Sequence, residues 1–277
     1  MNCCYNESMT NENNILKVET IKTSDGNEVS FCPERGGIIT SLKFHGKEIL
    51  YMEEETFQNR AVSVHGGIPI LFPNARPVES PDFPGLKEHG FARTSCDWKA
   101  ETNQSGFEET LLSNEEKYKS YPFDFKFSFK GRFQDNGSFT INEKVKNLEE
   151  EKSLPLSFGM HPYFKVPKDQ KNNIKFNFDG GKLMEEQIGL WANGEYICID
   201  NPKVKDSSAG VEVVIPDLGT LVIDASAEYK KIWVWSQPEK DFICIEPMMR
   251  DKGGLIANPE IVSAKETYTT SVSFSLK

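Results

Sequence analysis

Histidine is scarce in this chain: its 277 residues include only four, His45, His65, His89 and His161. They stand 20 or more residues apart, with no H-x-H or H-x3-H pair, so their spacing offers no metal site. The six cysteines, Cys3, Cys4, Cys32, Cys96, Cys198 and Cys244, contain no C-x-x-C pair. The opening MNCCYNESMTNENN lacks the basic and apolar regions of a signal peptide. The cysteines therefore read as reduced thiols of a cytoplasmic protein. Basic charge is in the minority, 32 Lys and Arg against 42 Asp and Glu, a net charge of −10 that argues against a nucleic-acid partner. No apolar run reaches the roughly 18 to 20 residues of a membrane span. Phosphate-cradling glycine spacing and a G-x-S-x-G elbow are also missing. Nothing marks an internal boundary, so residues 1–277 read as one domain, with polar residues 1–14 as a loose tail.

Alternation is what the chain has in quantity. In YPFDFKFSFKGRF, Phe123, Phe125, Phe127 and Phe129 alternate with Asp124, Lys126, Ser128 and Lys130, one buried face and one wet face of a strand. Asn136-Gly137 then marks a hairpin turn before SFTINEKV resumes the pattern. Further strands are expected at 173–178, 211–215, 220–225, 231–236, 241–246 and 269–276. Turn residues separate them, at Asp179-Gly180-Gly181, Asn193-Gly194, Asp217-Leu218-Gly219 and Gln237-Pro238. No segment sustains a helical stripe over three turns. The fold class is all-β, a large antiparallel β-sandwich. The acidic stretches at 53–55 and 148–152 read as solvated turns.

Four segments do not fit plain strands and turns. VHGGIPILFPNARP (64–77) is too rich in Gly and Pro for a helix and too apolar for a solvated loop. His89 lies in KEHGFARTSCDW, four residues before Arg93. His161 lies in LSFGMHPYFKVP, where the following proline biases it to extended backbone. In KDFICIEPMMR, residues 242, 244 and 246 share one face and 243 and 245 the other, and both faces are apolar. Glu246 must then reach a cleft or be buried and paired, since unpaired burial costs several kcal/mol, on the order given for isolated charges. An ion pair with Arg250 or Arg93 is its structural alternative. His45, in LKFHGKEIL, reads as a turn residue.

Taken in order, GGIPILFP (66–73), HGFAR (89–93), GMHPYF (159–164) and IEP (245–247) resemble the galactose mutarotase-like superfamily, the aldose 1-epimerases. The nearer likeness is to the hexose-6-phosphate mutarotase branch. That resemblance implies a supersandwich with a sugar cleft, and an isomerase that opens and recloses the hemiacetal ring of a hexose to interconvert its α and β anomers. It implies Glu246 as general base and His161 as general acid, with no cofactor and no metal. His89 and Arg93 match substrate-binding positions, and Asp200, in YICIDNP, is the candidate for an active-site aspartate usual in the superfamily. Phe91, Tyr163 and Trp235 are candidates for an apolar floor against a sugar face.

The chemistry is consistent with these residue types. Anomer exchange needs one group to take the C1 hydroxyl proton and another to protonate the ring oxygen, which a glutamate and a histidine can supply near neutral pH. One position departs from the hexose-6-phosphate branch. Where the glycines there follow an arginine, this chain has His65, which cannot make the same permanently charged, bidentate contact with phosphate. Arg76 or Arg60 are the candidates to compensate. The expectation is a free hexose or related aldose as the small-molecule partner. The alternatives are hexose-6-phosphate mutarotation and a non-catalytic carbohydrate-binding or sensing role. A glycoside hydrolase would need a second carboxylate across the bond, and only one is evident.

Overall fold

In the computed structural model the phenylalanine alternation becomes the strand Phe125–Phe133, in which Phe125, Phe127 and Phe129 are buried and Lys126 is exposed. Phe123 lies before the strand and packs, half-buried, against the core edge. The Asn136-Gly137 turn closes the expected hairpin, with Phe133 opposite Phe139 at its end. The structure describes residues 16–178, 183, 184, 191 and 193–277; the turn expected at Asp179-Gly180-Gly181 lies outside them. No helix among the described residues is long and apolar enough to cross a membrane.

Four antiparallel sheets form among the described residues. The largest has eight strands, running in space from Lys175–Phe176 through Val211–Ile215, Gly219–Ala225, Thr267–Leu276, Phe139–Asn147, Phe125–Phe133 and Gly106–Leu112 to Lys99–Asn103. A six-stranded sheet orders Ile197–Asp200, Lys231–Trp235, Phe242–Met248, Gly159–Met160 and Ile70–Leu71, and Tyr163–Lys165 also pairs with Phe242–Met248. Glu19–Lys22, Glu28–Cys32, Ile38–Phe44 and Lys47–Glu48 form a four-stranded sheet, and Leu154–Leu156 pairs with Glu260–Val262. One apolar core draws on the three larger sheets, through residues such as Phe127 and Ile141, Ile243 and Ile245, and Phe31 and Ile39. Each side chain of this kind contributes about 1.5–3 kcal/mol on burial, so the layers are held face to face as a sandwich.

The six-stranded sheet sets up the site. Its strand Phe242–Met248 is buried at every residue. Ile243 and Ile245 point into the core, which leaves Cys244, Glu246 and Met248 on the opposite face. Residues directly opposite in an antiparallel pair share a face. Trp233 is opposite both Glu246 and Cys198, and Cys244 is opposite both Trp235 and Tyr163. This second face is therefore paved with aromatic side chains around a single glutamate.

Candidate active site

Two glycine-dependent turns bring loops onto that face. Gly67 adopts φ +63, and a Cβ there would strike the Ile39 carbonyl. Gly90, at φ +64, lies as tightly over the Phe72 carbonyl. Only glycine supports both the left-handed conformation and the close approach. His89 itself has φ +66, an uncommon conformation for a side-chain-bearing residue that projects its ring out of the loop. His161 follows the short strand Gly159–Met160, and its N–H donates to the Pro69 carbonyl at 3.0 Å, which ties it to the GGIPILFP segment.

The side chains converge. His161 Nε2 lies 3.5 Å from Glu246 Oε1, with both residues buried. The His161 ring stacks on Tyr163 at 4.7 Å and meets His89 edge-on at 5.6 Å and Trp235 edge-on at 5.9 Å. Its Nδ1 has no hydrogen-bond partner among the described residues. Arg93, also buried, donates from Nη1 to His89 Nδ1 at 2.6 Å and from Nη2 to the Val64 carbonyl at 3.2 Å. Because Nδ1 of His89 accepts, its proton resides on Nε2.

Burial governs the electrostatics. It pushes Glu246 well above the usual carboxylate range, against the opposing pull of Arg93 and Arg76. It pushes His161 well below the usual imidazole range, and the nearby His89 and Arg93 act in the same direction. Both directions favour the uncharged forms. His89 is pushed down to about 3 by burial and then by Arg93 and Arg76, so it is neutral at ordinary pH.

The remaining candidates occupy the surroundings. Arg76 Nη1 pairs with Glu88 Oε1 at 2.9 Å, and its guanidinium lies 4.9 Å above the Tyr196 ring and 6.0 Å from that of Trp233. Its buried Nε has no hydrogen-bond partner among the described residues. His65 Nδ1 lies 3.3 Å from Glu53 Oε2, and Glu53 also pairs with Lys240. Glu53 is thus no solvated turn residue but the link between two segments at the rim. Arg60 is bound to Glu34 at 2.6 Å. Arg250 pairs with Glu260 at 2.6 Å rather than with Glu246. Asp200 is half-exposed at a strand end, held by Lys231 at 2.8 Å and Lys205 at 3.4 Å, and is not drawn into the histidine cluster. Phe91 packs against Phe72 and Phe125, on the core side rather than as a floor.

Some neighbours were not evident from spacing. Asp251 lines a small cavity with Asn74, Arg76 and Trp233, and its Oδ1 accepts from the Tyr196 hydroxyl at 3.5 Å. Cys244 is another such neighbour. One donor atom each from His161, Cys244 and Glu246 lie within 4.8 Å of one another, a potential metal-ligand group that a linear reading of the histidine and cysteine spacing does not reveal. The arrangement sets a carboxyl group and an imidazole 3.5 Å apart, beside a second imidazole and cationic side chains, on an aromatic surface.

Comparison with known proteins places the chain in a family. Residues 19–249 match the family model for aldose 1-epimerase. The plasmid-encoded protein LacX of Lactococcus lactis is 32% identical over 148 residues, 48% of this chain and 46% of LacX. A Cenchrus ciliaris protein whose name proposes a glucose-6-phosphate 1-epimerase is 25% identical over 143 residues, 47% of this chain and 42% of that protein. The chain thus matches less than half the length of each of these relatives. Among solved structures, the Slr1438 protein of Synechocystis superposes with a TM-score of 0.79 and 25% identity over 96% of this chain and 99% of its own. A galactose mutarotase related enzyme of Lactobacillus acidophilus gives 0.72 and 18% identity, over 94% of this chain and 97% of its own.

Proposed function

This chain belongs to the aldose 1-epimerase family, and from that premise we propose that it is a mutarotase for a free aldose, with Glu246 as general base and His161 as general acid. The observation that carries the proposal is the 3.5 Å approach of His161 Nε2 to Glu246 Oε1 on a buried aromatic surface. Glu246 takes the proton of the C1 hydroxyl while His161 gives one to the ring oxygen, and the C1–O5 bond opens. Rotation about C1–C2 presents the other aldehyde face, and the transfers run in reverse. Each proton transfer of this kind is worth roughly 10²- to 10⁴-fold.

The cycle needs one proton on the pair, placed on His161 when Glu246 accepts. Burial disfavours that ionised form in the empty cleft, whereas Arg93 favours the Glu246 carboxylate. Sugar hydroxyls would supply the hydrogen bonds that stabilise both charges, so ionisation is coupled to binding. Neutral His89, with its proton on Nε2, and the guanidinium of Arg93 are assigned to sugar oxygens; Arg76 is assigned to the opposite rim of the cleft.

The free-sugar reading rests on the rim at position 65. His65 sits against Glu53, a carboxylate held below its usual range by Lys240, which disfavours an anionic substrate group there. The likeness to the Cenchrus ciliaris protein favours hexose-6-phosphate mutarotation as the second reading. NMR exchange between anomers, run on glucose, galactose and glucose 6-phosphate, separates the two. Acceleration of the free sugars supports the first reading and of the phosphate alone the second; no acceleration of any would leave a carbohydrate-binding role.

A further inference from the structure

Cys244 has no part in these proton transfers, yet the fold sets its thiol beside both groups that do. Cys244 and Glu246 are two residues apart on one strand and project from the same face. Tyr163, two residues after His161, pairs with Cys244 and draws the histidine to it. One imidazole nitrogen, the Cys244 Sγ and one Glu246 oxygen consequently all lie within 4.8 Å of one another, on three buried residues. We propose that His161, Cys244 and Glu246 bind a zinc-class divalent ion reversibly, and that the ion inhibits by occupying the proton-transfer pair.

The donor set selects the ion. Imidazole, thiolate and carboxylate are the three ligand types zinc uses, whereas Mg²⁺ and Ca²⁺ prefer all-oxygen sites. Bonds of about 2.0–2.3 Å in a tetrahedron put neighbouring ligand atoms roughly 3.2–3.8 Å apart. The 3.5 Å between His161 Nε2 and Glu246 Oε1 already lies in that range. Closing the other separations, none above 4.8 Å, takes a side-chain adjustment of about 1.3 Å at most. Three protein ligands leave a fourth position for water or a sugar hydroxyl.

Charge and protons balance. The ion displaces the proton of the Cys244 thiol and that of the Glu246 carboxyl to solvent, and the two anions then neutralise its two positive charges. Their joint charge offsets the repulsion from Arg93. A histidine holding a resident metal usually has its other ring nitrogen braced by a carboxylate or carbonyl. Nδ1 of His161 has no such partner among the described residues, which suits a site that fills and empties with the free ion concentration.

The binding half of this inference is independent of the proposed function; the inhibition half rests on it. The test titrates the full chain with Cd²⁺ alone, following the ultraviolet thiolate-to-cadmium band, and measures Zn²⁺ inhibition of anomer exchange in parallel. Cys244→Ala should keep its mutarotation, lose part of the cadmium band and require roughly tenfold or more Zn²⁺ for the same inhibition. Glu246→Gln, which keeps the thiol but removes one ligand, should weaken cadmium binding as well and covers the case in which Cys244→Ala fails to fold. Cadmium titrations unchanged in both variants would overturn the site. Equal Zn²⁺ sensitivity of the parent and a folded Cys244→Ala would overturn the inhibition. A chain that mutarotates no sugar yet gives the Cys244-dependent band would disprove the enzymatic reading while leaving the ion site standing.

Discussion

Arg93 donates from Nη1 to Nδ1 of His89 at 2.6 Å, and this contact decides which nitrogen of His89 carries its proton. Together with burial, the same cation holds the ring down to about 3, so His89 is an uncharged donor throughout ordinary pH. Arg93→Met should raise the His89 titration towards the ordinary value of about 6.5 and mix its tautomers. Nitrogen NMR of the imidazoles reads both effects. An unchanged tautomer and titration would mean that Arg93 does not set the state of this ring.

Glu246→Gln and His161→Gln should each lower mutarotation by at least about a hundredfold, the lower end for a general acid or base, with folding intact. Circular dichroism and anomer exchange on the same samples separate loss of chemistry from loss of structure. Near-parental rates in either folded variant would remove that residue from the mechanism.

His65 touches Glu53 at 3.3 Å, and Lys240 holds the same carboxylate. His65→Arg combined with Glu53→Gln should move the preference towards glucose 6-phosphate over glucose. One charge-assisted hydrogen bond is worth about 1.5–3 kcal/mol, or roughly 10- to 100-fold in relative kcat/KM. An unaltered ratio would show that the rim at 65 does not face the 6-position.

Glu109 lies on the inner face of the large sheet, opposite Phe129, and neither carboxylate oxygen has a hydrogen-bond partner among the described residues. Burial pushes it from the ordinary 4.5 up to about 8. Between these values the unfolded chain binds fewer protons than the folded one, so stability from this group falls by about 1.4 kcal/mol per pH unit as pH rises, then levels off. Glu143, two strands away and on the other side of the same Phe129, is raised by burial to about 7 and adds in the same sense up to that pH. Denaturant unfolding across about pH 5 to 9 should therefore show a flatter profile for Glu109→Gln than for the parent. Parallel profiles would mean that Glu109 does not remain protonated inside.

The sequence discloses those parts of the fold that repeat. Phe125–Phe133 and Val211–Ile215 are long enough for alternation to register, and the Asn136-Gly137 turn is chemically explicit. Ile70–Leu71 and Gly159–Met160 have two residues each, too few for any period, although they help fix His161. The run expected at 173–178 pairs only as Lys175–Phe176. Glu109 and Glu143 occupy core positions that a binary pattern reserves for apolar residues. At the site, Glu246 stood out because apolar neighbours on both faces made it anomalous. Cys244, Trp233 and Asp251 did not, because their relevance depends on cross-strand neighbours far away in the chain. Asp200, the candidate drawn from the family resemblance, pairs with Lys231 and Lys205 at its strand end.

The site face is set by register alone. Cys198, Trp233 and Glu246 lie abreast on three neighbouring strands, and Ile245 faces the other way into the core. Side-chain direction reverses at every residue, so deletion of a single residue between Phe242 and Glu246 would turn the carboxylate inward and put Pro247 in its place. Loss of two residues would restore the direction but shift the glutamate one pair along the sheet. Substitutions can therefore retune this cleft one residue at a time, whereas insertions and deletions in its floor strand act as frameshifts of the surface. Length variation that preserves activity is confined to the loops around it.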